Sequence, residues 1–302
     1  MRGEKLVAKR KDLVIGIVIA GSFLLLLLFL VVAMWGLYGG PEIGISGWGD
    51  KVAIIEVHGV ISSSSDVIRQ LKRYSQDRSV PSIVLHINSP GGLVAPAQEI
   101  YEEINKVRQK GKKVVASFSS VAASGGYYVA CAADTIVSNP GTLTGSIGVI
   151  FEFPVMEKLF RKIGLEFEVV KSGELKDVGT YTRRMTDKER KLLQELINDT
   201  YEQFVDVLVE QRGIPREEVL RFADGRVFTG RKAQELGLVD VLGNLEDAIE
   251  IAGEMGGIEG RPSTIRERKR KITLFDLLTQ KMDRWLSLDD GKFMPKLQYI
   301  YR

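Results

Sequence analysis

Hydrophobic and polar positions follow two alternating patterns along most of the chain. From Lys51 onward, short apolar runs of strand length alternate with segments whose apolar residues recur every three or four positions. The runs predict β-strands and the periodic segments predict helices. Strands are predicted at 52–61, 82–87, 112–118, 134–140, 142–151 and 166–173, with helices at 64–77 and 94–111. Short buried strands separated by helices are typical of βαβ units, so the pattern predicts an α/β domain with a parallel sheet.

After residue 185 the pattern becomes helical. Thr186 and Glu189 form a capping-box sequence, which predicts the start of a helix that runs to about Arg212. Two shorter helices are predicted at about 215–223 and 229–236. Farther on, residues 272–288 place their apolar side chains roughly on one helical face behind a basic run. Such a helix is suited to a membrane surface or to a partner subunit.

The N-terminal region carries an apolar segment of a different kind. Leu13–Trp35 contains 23 residues without a charge, long enough as a helix to cross a bilayer core of roughly 30 Å. It is also longer than the apolar core of a cleaved signal peptide. We therefore expect a single transmembrane anchor at 13–38, with residues 1–12 in the cytoplasm because of their positive charge. A glycine-rich linker at 39–50 would place the rest of the chain outside the cytoplasmic face of the cell membrane.

Composition narrows the function of the body of the chain. The net charge is +3 over 302 residues, and the basic segments 1–12 and 266–271 together carry more than that excess. The remainder is mildly acidic, so a nucleic-acid-binding face is not expected. Cys131 is the one cysteine and provides neither an intrachain disulfide nor a zinc cluster. We assign 51–258 to the main domain and 259–302 to a basic, amphipathic extension.

One candidate for catalysis is Ser124, which stands before two glycines at the start of a predicted helix. A nucleophilic serine needs a base. His58 and His86 both fall inside predicted strands, whereas catalytic groups of open α/β sheets gather beyond the strand ends. A lysine with a lowered pKa is the alternative. Lys171 and Lys176 are both available in the loop after 166–173, and the residues alone do not choose between them.

Five motifs, in order along the chain, carry a resemblance to a known family. They are INSPGG (87–92), SVAASGGYY (120–128), GTLTGSIGV (141–149), KSGELKD (171–177) and DGRVFTGRKAQELGLVD (224–240). With them, the chain resembles the short form of bacterial and archaeal signal peptide peptidase A, a membrane-bound serine–lysine peptidase of the Clp/crotonase superfamily. The resemblance implies an α/β, Clp protease/crotonase-like fold, a spiral of repeated ββα/βαβ units preceded by one transmembrane helix.

The resemblance also implies roles for particular residues. Ser124 matches the nucleophile, Lys176 the general base, and Ser146 a serine whose hydroxyl orients the lysine amine. Gly91 matches a donor of the oxyanion hole, and the Gly125 N–H at the helix start is the natural second donor. Taken without the resemblance, Ser146 is equally a turn serine between glycines, and INSPGG is equally a tight strand-to-helix turn.

The implied activity is hydrolysis of a peptide bond through an acyl-enzyme, with remnant signal peptides or other apolar peptides as substrates. No cofactor or metal is implied. The expected assembly is a dome-shaped homo-oligomer, with an octamer as one candidate size, in which Ser124 pairs with Lys176 of a neighbouring subunit. The alternatives are a related serine–lysine protease that cuts a membrane-protein partner, an acyl-CoA enzyme on the same fold, and a non-catalytic scaffold.

Overall fold

The computed structural model describes residues 21–30, 49–267 and 298–300. Residues 21–30 form helix α1, whose leucine and phenylalanine side chains are exposed. None of the helices within these three ranges is long and apolar enough to cross a membrane. Residues 1–20 and 31–38 of the predicted cytoplasmic segment and anchor, most of the linker, and the predicted helix at 272–288 lie outside the described residues. The chain divides into two compact units, 1–49 and 50–302.

The second unit alternates strands and helices in its first half and is mainly helical in its second. Its elements are β1 (Lys51–His58), α2 (Ser65–Gln76), β2 (Ser82–Ser89), β3 (Gly91–Leu93), α3 (Val94–Gln109), β4 (Lys113–Ala123), α4 (Gly125–Ala130), β5 (Thr135–Ser138), β6 (Leu143–Gly145), α5 (Glu157–Lys162), α6 (Asp187–Arg212), α7 (Arg216–Phe222), β7 (Val227–Thr229), α8 (Gly230–Glu235), β8 (Val241–Leu242), α9 (Leu245–Met255), β9 (Ser263–Arg266) and β10 (Gln298–Ile300).

The main sheet has eight strands and is mixed. Its central path runs β7-β6-β4-β2-β1-β9, and β5 branches from β4 to pair with β8. Only the β6–β7 pairing within this sheet is antiparallel. The long strand β4 pairs with β5 through its first half and with β6 through its second half. The predicted parallel α/β sheet is therefore confirmed for its core, and β9 extends it past the expected domain end at 258.

Two hydrophobic cores cover the two faces of the sheet. Alternate residues of a strand point to opposite faces. On β2, Ile83, Leu85 and Ile87 join the larger core with the helices α2, α3, α4 and α6. Val84 of the same strand joins the smaller core under α9. This alternation places α4, the helix that follows Ser124, on the larger-core face.

Sequence patterning was wrong in one segment. The predicted strand at 166–173 does not form, and the strand predicted at 142–151 is reduced to the three residues of β6. We call residues 150–181 the arm; no residue from 148 to 188 is buried in the single chain. An apolar run becomes a strand only when a neighbouring strand satisfies its backbone groups, and these residues pair with no strand in the described parts of the chain.

Candidate active site

Ser124 occupies a strained turn between a strand and a helix. It follows β4 and caps α4, with φ 52° and ψ −118°. A positive φ is uncommon for a residue with a side chain and costs of order 1–3 kcal/mol. The side chain is buried, and its Oγ has no hydrogen-bond partner among the described residues. A strained strand-to-helix turn is the arrangement in which α/β hydrolases hold a nucleophilic serine.

Backbone contacts fix this turn on both sides. The Ser124 N–H donates to the Gly145 carbonyl of β6 at 2.7 Å, and the Ser124 carbonyl accepts from the Tyr128 N–H at 2.8 Å. Behind the turn, the fully buried Tyr127 donates its hydroxyl to the Leu238 carbonyl at 2.9 Å. The local geometry of Ser124 is therefore set by a neighbouring strand and by the packing of its own helix.

The Gly125 N–H lies at the first position of α4, directly after the serine. The first N–H groups of a helix have no acceptor within the helix. Such a group next to a nucleophile can stabilise negative charge that develops on a carbonyl oxygen under attack. The expected position of Gly125 as an oxyanion donor is thus compatible with the backbone around it.

Gly91 lies on the short strand β3, and its N–H is engaged in this conformation. It donates to the Ser89 hydroxyl at 3.1 Å, while the Gly91 carbonyl accepts from the Ile61 N–H at 2.9 Å. Its φ of 100° is one that side-chain-bearing residues rarely adopt. Gly91 can act as an oxyanion donor only after its hydrogen bond to Ser89 breaks.

A strand edge runs past this region. The Gly91 carbonyl and the Leu93 N–H both bind Ile61, so the backbone groups of Gly92 face the opposite side. There, β10 pairs with β3 in antiparallel register, with Tyr299 opposite Gly92. Gly92 has no room for a side chain, since an added Cβ would come within 2.2 Å of the Ile61 carbonyl oxygen. The edge of β3 therefore accepts an extended chain.

Ser146 lies beside the Ser124 turn. In the β4–β6 pairing, Ala123 is opposite Gly145, so the two serines are the next residues along neighbouring parallel strands. Ser146 also has a positive φ, 51°, and its N–H donates to the Arg226 carbonyl at 2.8 Å. The structure thus brings the predicted nucleophile and the predicted lysine-orienting serine together at the carboxyl ends of two neighbouring strands.

Lys176 is not joined to this pair within the chain. It lies in an exposed turn at the end of the arm, and the Ser124 Oγ accepts no hydrogen bond from it. Lys171, the alternative lysine, is bound instead to the Asp177 carboxylate and the Glu174 carbonyl. The single chain therefore places Ser124, Ser146, Gly91 and Gly125 at the same ends of the strands. The predicted base, Lys176, is not among them.

The two histidines lie away from the α4 face. His86 shares its side of β2 with Val84, which packs in the smaller core under α9. Burial lowers the pKa of His86, and its Nδ1 has no hydrogen-bond partner within the described ranges. His58 is the exposed last residue of β1. It therefore lies at the end of its strand, whereas the sequence pattern placed it inside the strand. Neither histidine contacts Ser124 by hydrogen bond.

A metal-dependent site was not expected from the sequence. Over residues 21–30, 49–267 and 298–300, no group of three or more His, Cys, Asp or Glu side chains is placed to hold a metal ion. The reactive groups described around Ser124 are its hydroxyl and the neighbouring backbone N–H donors.

Two protein-family models match the part of the chain that contains these residues. The family model for peptidase family S49 matches residues 106–258, and that for Clp protease matches residues 51–139. The first range contains Ser124, Ser146 and Lys176, and the second contains Gly91 and the nucleophile turn.

Individual relatives carry protease names. A putative protease of Synechocystis sp. is 44% identical over 69% of this chain and 76% of its own length. A putative signal peptide peptidase of Enterococcus faecium is 34% identical over 66% of this chain and 62% of its length. A chloroplastic serine protease of Arabidopsis thaliana is 32% identical over 78% of this chain but only 36% of its own length.

Proposed function

The chain belongs to peptidase family S49 and is a serine peptidase, and on that premise we propose that Ser124 is its nucleophile in a membrane-anchored endopeptidase that degrades signal peptides. The observation that carries the assignment is the Ser124 turn: a buried hydroxyl without a partner, held at a strained φ beside the first N–H of a helix.

The base in this proposal is Lys176 of a neighbouring copy. Among the described residues the Ser124 Oγ has no hydrogen-bond partner, while Lys176 is exposed at the end of an arm with many exposed apolar side chains. They include Ile150, Val155, Leu159, Ile163, Leu165, Phe167, Val169 and Val170. Covering them with a second copy would remove apolar surface from water. A dome-shaped homo-oligomer, with an octamer as one candidate size, would bury the arms and complete each site.

The reaction then proceeds through an acyl-enzyme. The neutral amine of Lys176 takes the proton of the Ser124 hydroxyl, and Oγ bonds to the substrate carbonyl carbon. Negative charge on the carbonyl oxygen is stabilised by the Gly125 N–H, and by the Gly91 N–H once it leaves Ser89. Lys176 returns the proton to the leaving amine as the peptide bond breaks. The same amine then takes a proton from water, whose oxygen bonds to the acyl carbon; the bond from Oγ to that carbon breaks, and Lys176 returns the proton to Oγ.

Ser146 would orient the lysine. A neutral amine needs a fixed hydrogen-bond partner to accept a proton in one direction. A hydroxyl provides this without adding a negative charge, which would favour the protonated amine. The position of Ser146 beside Ser124, one residue beyond the Ala123–Gly145 pair, supports this role.

The substrate would bind as an extended strand. In this structure β10 pairs antiparallel with this edge of β3 next to α4, and the substrate strand would take its place. Main-chain hydrogen bonds to such an edge bind many sequences, which suits the degradation of remnant signal peptides. The uncharged segment at 13–38 would hold the enzyme in the membrane where those peptides remain, with residues 1–12 in the cytoplasm.

A serine-reactive fluorophosphonate probe tests the nucleophile. We expect labelling of the wild type and of Ser63→Ala, an exposed serine outside the site, and none of Ser124→Ala. Equal labelling of Ser124→Ala and wild type would refute the assignment. Turnover of a signal-peptide-like substrate should stop in Lys176→Ala.

A mixing experiment tests the shared site. Ser124→Ala and Lys176→Ala proteins should be inactive alone and should regain part of the activity in mixed assemblies, because some sites then combine an intact serine with an intact lysine. Mixed assemblies that form, as shown by co-purification through two different tags, and stay inactive would exclude sharing between copies.

A further inference from the structure

The turn that carries Lys176 is built from consecutive backbone hydrogen bonds. Lys176 N–H donates to the Gly173 carbonyl at 3.1 Å, and Thr180 N–H donates to the Asp177 carbonyl at 3.1 Å. These local bonds shape the turn but do not fix it to the rest of the domain. One attachment is the ion pair between Glu174 and Lys188 of α6, and the residue after the lysine, Asp177, provides another.

Two cations hold the Asp177 carboxylate. Lys171 Nζ is 2.5 Å from Oδ1, and an Arg183 nitrogen is 2.8 Å from Oδ2. Hydrogen bonds from Lys171 and then Arg183 lower the pKa of Asp177 to about 2. Each oxygen of the carboxylate thus has its own cationic partner, and neither partner is Lys176.

Arg183 continues the connection to helix α6. Its guanidinium binds both carboxylate oxygens of the buried Glu189, at 2.6 and 2.9 Å. Glu189 in turn accepts from the Thr186 N–H at 2.8 Å and completes the capping box of α6. The Lys176 turn is therefore fastened through Asp177 and Arg183 to the N-terminus of a helix of 26 residues.

The position of Asp177 poses an electrostatic problem for a lysine base. A carboxylate beside an amine favours its protonated form, which cannot accept a proton. An opposite charge within about 4–6 Å changes a pKa by about 1–3 units. The two cations on Asp177 oppose this effect, because they compete for the carboxylate and offset its charge.

We propose that Lys171 and Arg183 are positioning residues for Lys176: they fasten Asp177 to the start of α6 and keep its carboxylate from pairing with the catalytic amine. The inference rests on the proposed role of Lys176 as the base. It gives Lys171, the lysine that the resemblance did not match to the general base, a part in the reaction.

Lys171→Met in the full chain is the test, with kcat and KM for a fluorogenic signal-peptide-like substrate measured from pH 6 to 11. Without Lys171, the Oδ1 of Asp177 is free to pair with Lys176, while Arg183 still holds Oδ2. We expect the acidic limb of the kcat/KM profile to move up by about one pH unit, which lowers the rate below that limb about tenfold. The change should fall on kcat, since in this proposal Lys171 acts on Lys176 through Asp177 and not on the substrate.

Three further variants make the test specific. Lys171→Arg should restore the wild-type profile because it keeps the cation. The double variant Lys171→Met/Asp177→Asn should also return the acidic limb to its wild-type position, since no carboxylate remains to pair with Lys176. Lys232→Met removes an exposed ion pair to Glu235 elsewhere on the domain and should leave the profile unchanged.

Three results would overturn the inference or its premise. An acidic limb of Lys171→Met at the wild-type pH, in protein with wild-type thermal unfolding and oligomer size, would exclude the electrostatic role. Failure of the double variant to restore the limb would do the same. Retained turnover in Lys176→Ala would instead refute the base itself, so the two failures are distinguishable.

Discussion

Gly126 is the position at which one added methyl group should test the geometry of the site. It is the second residue of α4 and packs directly over the end of β2. A Cβ built there would lie 2.9 Å from the Ser89 carbonyl oxygen and 3.3 Å from the Ser89 Cβ. Gly126 and Ser89 are both buried, so neither can move into solvent to relieve the contact. Gly126→Ala must therefore push the start of α4 away from Ser89.

The size of the shift follows from these distances. Ordinary contacts of a Cβ begin at 3.4 Å, so the backbone must move by about 0.5 Å. Overpacking of this kind costs about 1–3 kcal/mol, and the better helix propensity of alanine returns about 1 kcal/mol. We expect a net loss of about 0–2 kcal/mol in the free energy of unfolding.

The effect on activity should exceed the effect on stability. The shift falls between Ser124 and Ser89, which holds the Gly91 N–H, so it separates the nucleophile from one predicted oxyanion donor. A misplacement of about 1 Å can cost about a hundredfold in rate, so about 0.5 Å should lower kcat about tenfold. KM should change little, since the edge of β3 is not displaced.

Steady-state kinetics and chemical denaturation of the same protein measure both quantities. Gly141→Ala is the matched control, because its added methyl group meets no atom within 4 Å and the residue is exposed. A Gly126→Ala enzyme with wild-type kcat would refute the packing argument. A loss of activity equal to the fraction unfolded would refute its catalytic part.

Two further predictions concern acid stability and thiol reactivity. Hydrogen bonds from Arg183 lower the pKa of Glu189 to about 2 from 4.5, so its contribution to stability is complete above pH 4.5 and is lost as the pH falls toward 2. Glu189→Gln should therefore flatten the fall in melting temperature over that range, and an unchanged slope would contradict the assignment. Burial raises the pKa of Cys131 to about 12, so iodoacetamide should modify Cys131 only in unfolded protein; rapid modification of the folded enzyme at pH 8 would contradict its burial.

Local patterns in the sequence predicted the elements that carry the serine site. Short apolar runs predicted the strands β1, β2, β4 and β5, because burial on both faces of a parallel sheet leaves continuous apolar runs. The Thr186 capping box gave the start of α6 within one residue. The serine before two glycines marked the β4–α4 turn. Each of these features depends on residues that are neighbours along the chain.

The hydrophobic pattern failed where the pairing partner of a segment is far away in the sequence or is not found in the described parts of the chain. The arm has the apolar composition of a strand but pairs with no strand among the described residues, whereas β9 and β10 pair with β1 and β3 from far along the chain. Sequence reasoning also missed the Gly91–Ser89 hydrogen bond and the Arg183 connection between Asp177 and Glu189. No periodicity encodes such contacts, because they depend on which distant segments meet.

The sequence by itself therefore determined the parallel core of the sheet, the capped helix and the serine at the start of α4, since local propensity and burial of alternate residues are written in short windows. Only the tertiary structure decided that the Ser124 Oγ has no hydrogen-bond partner among the described residues, that Ser146 lies beside Ser124, and that Lys171 binds Asp177. These three facts depend on strand register and long-range packing, which fix side chains relative to one another after the elements have formed.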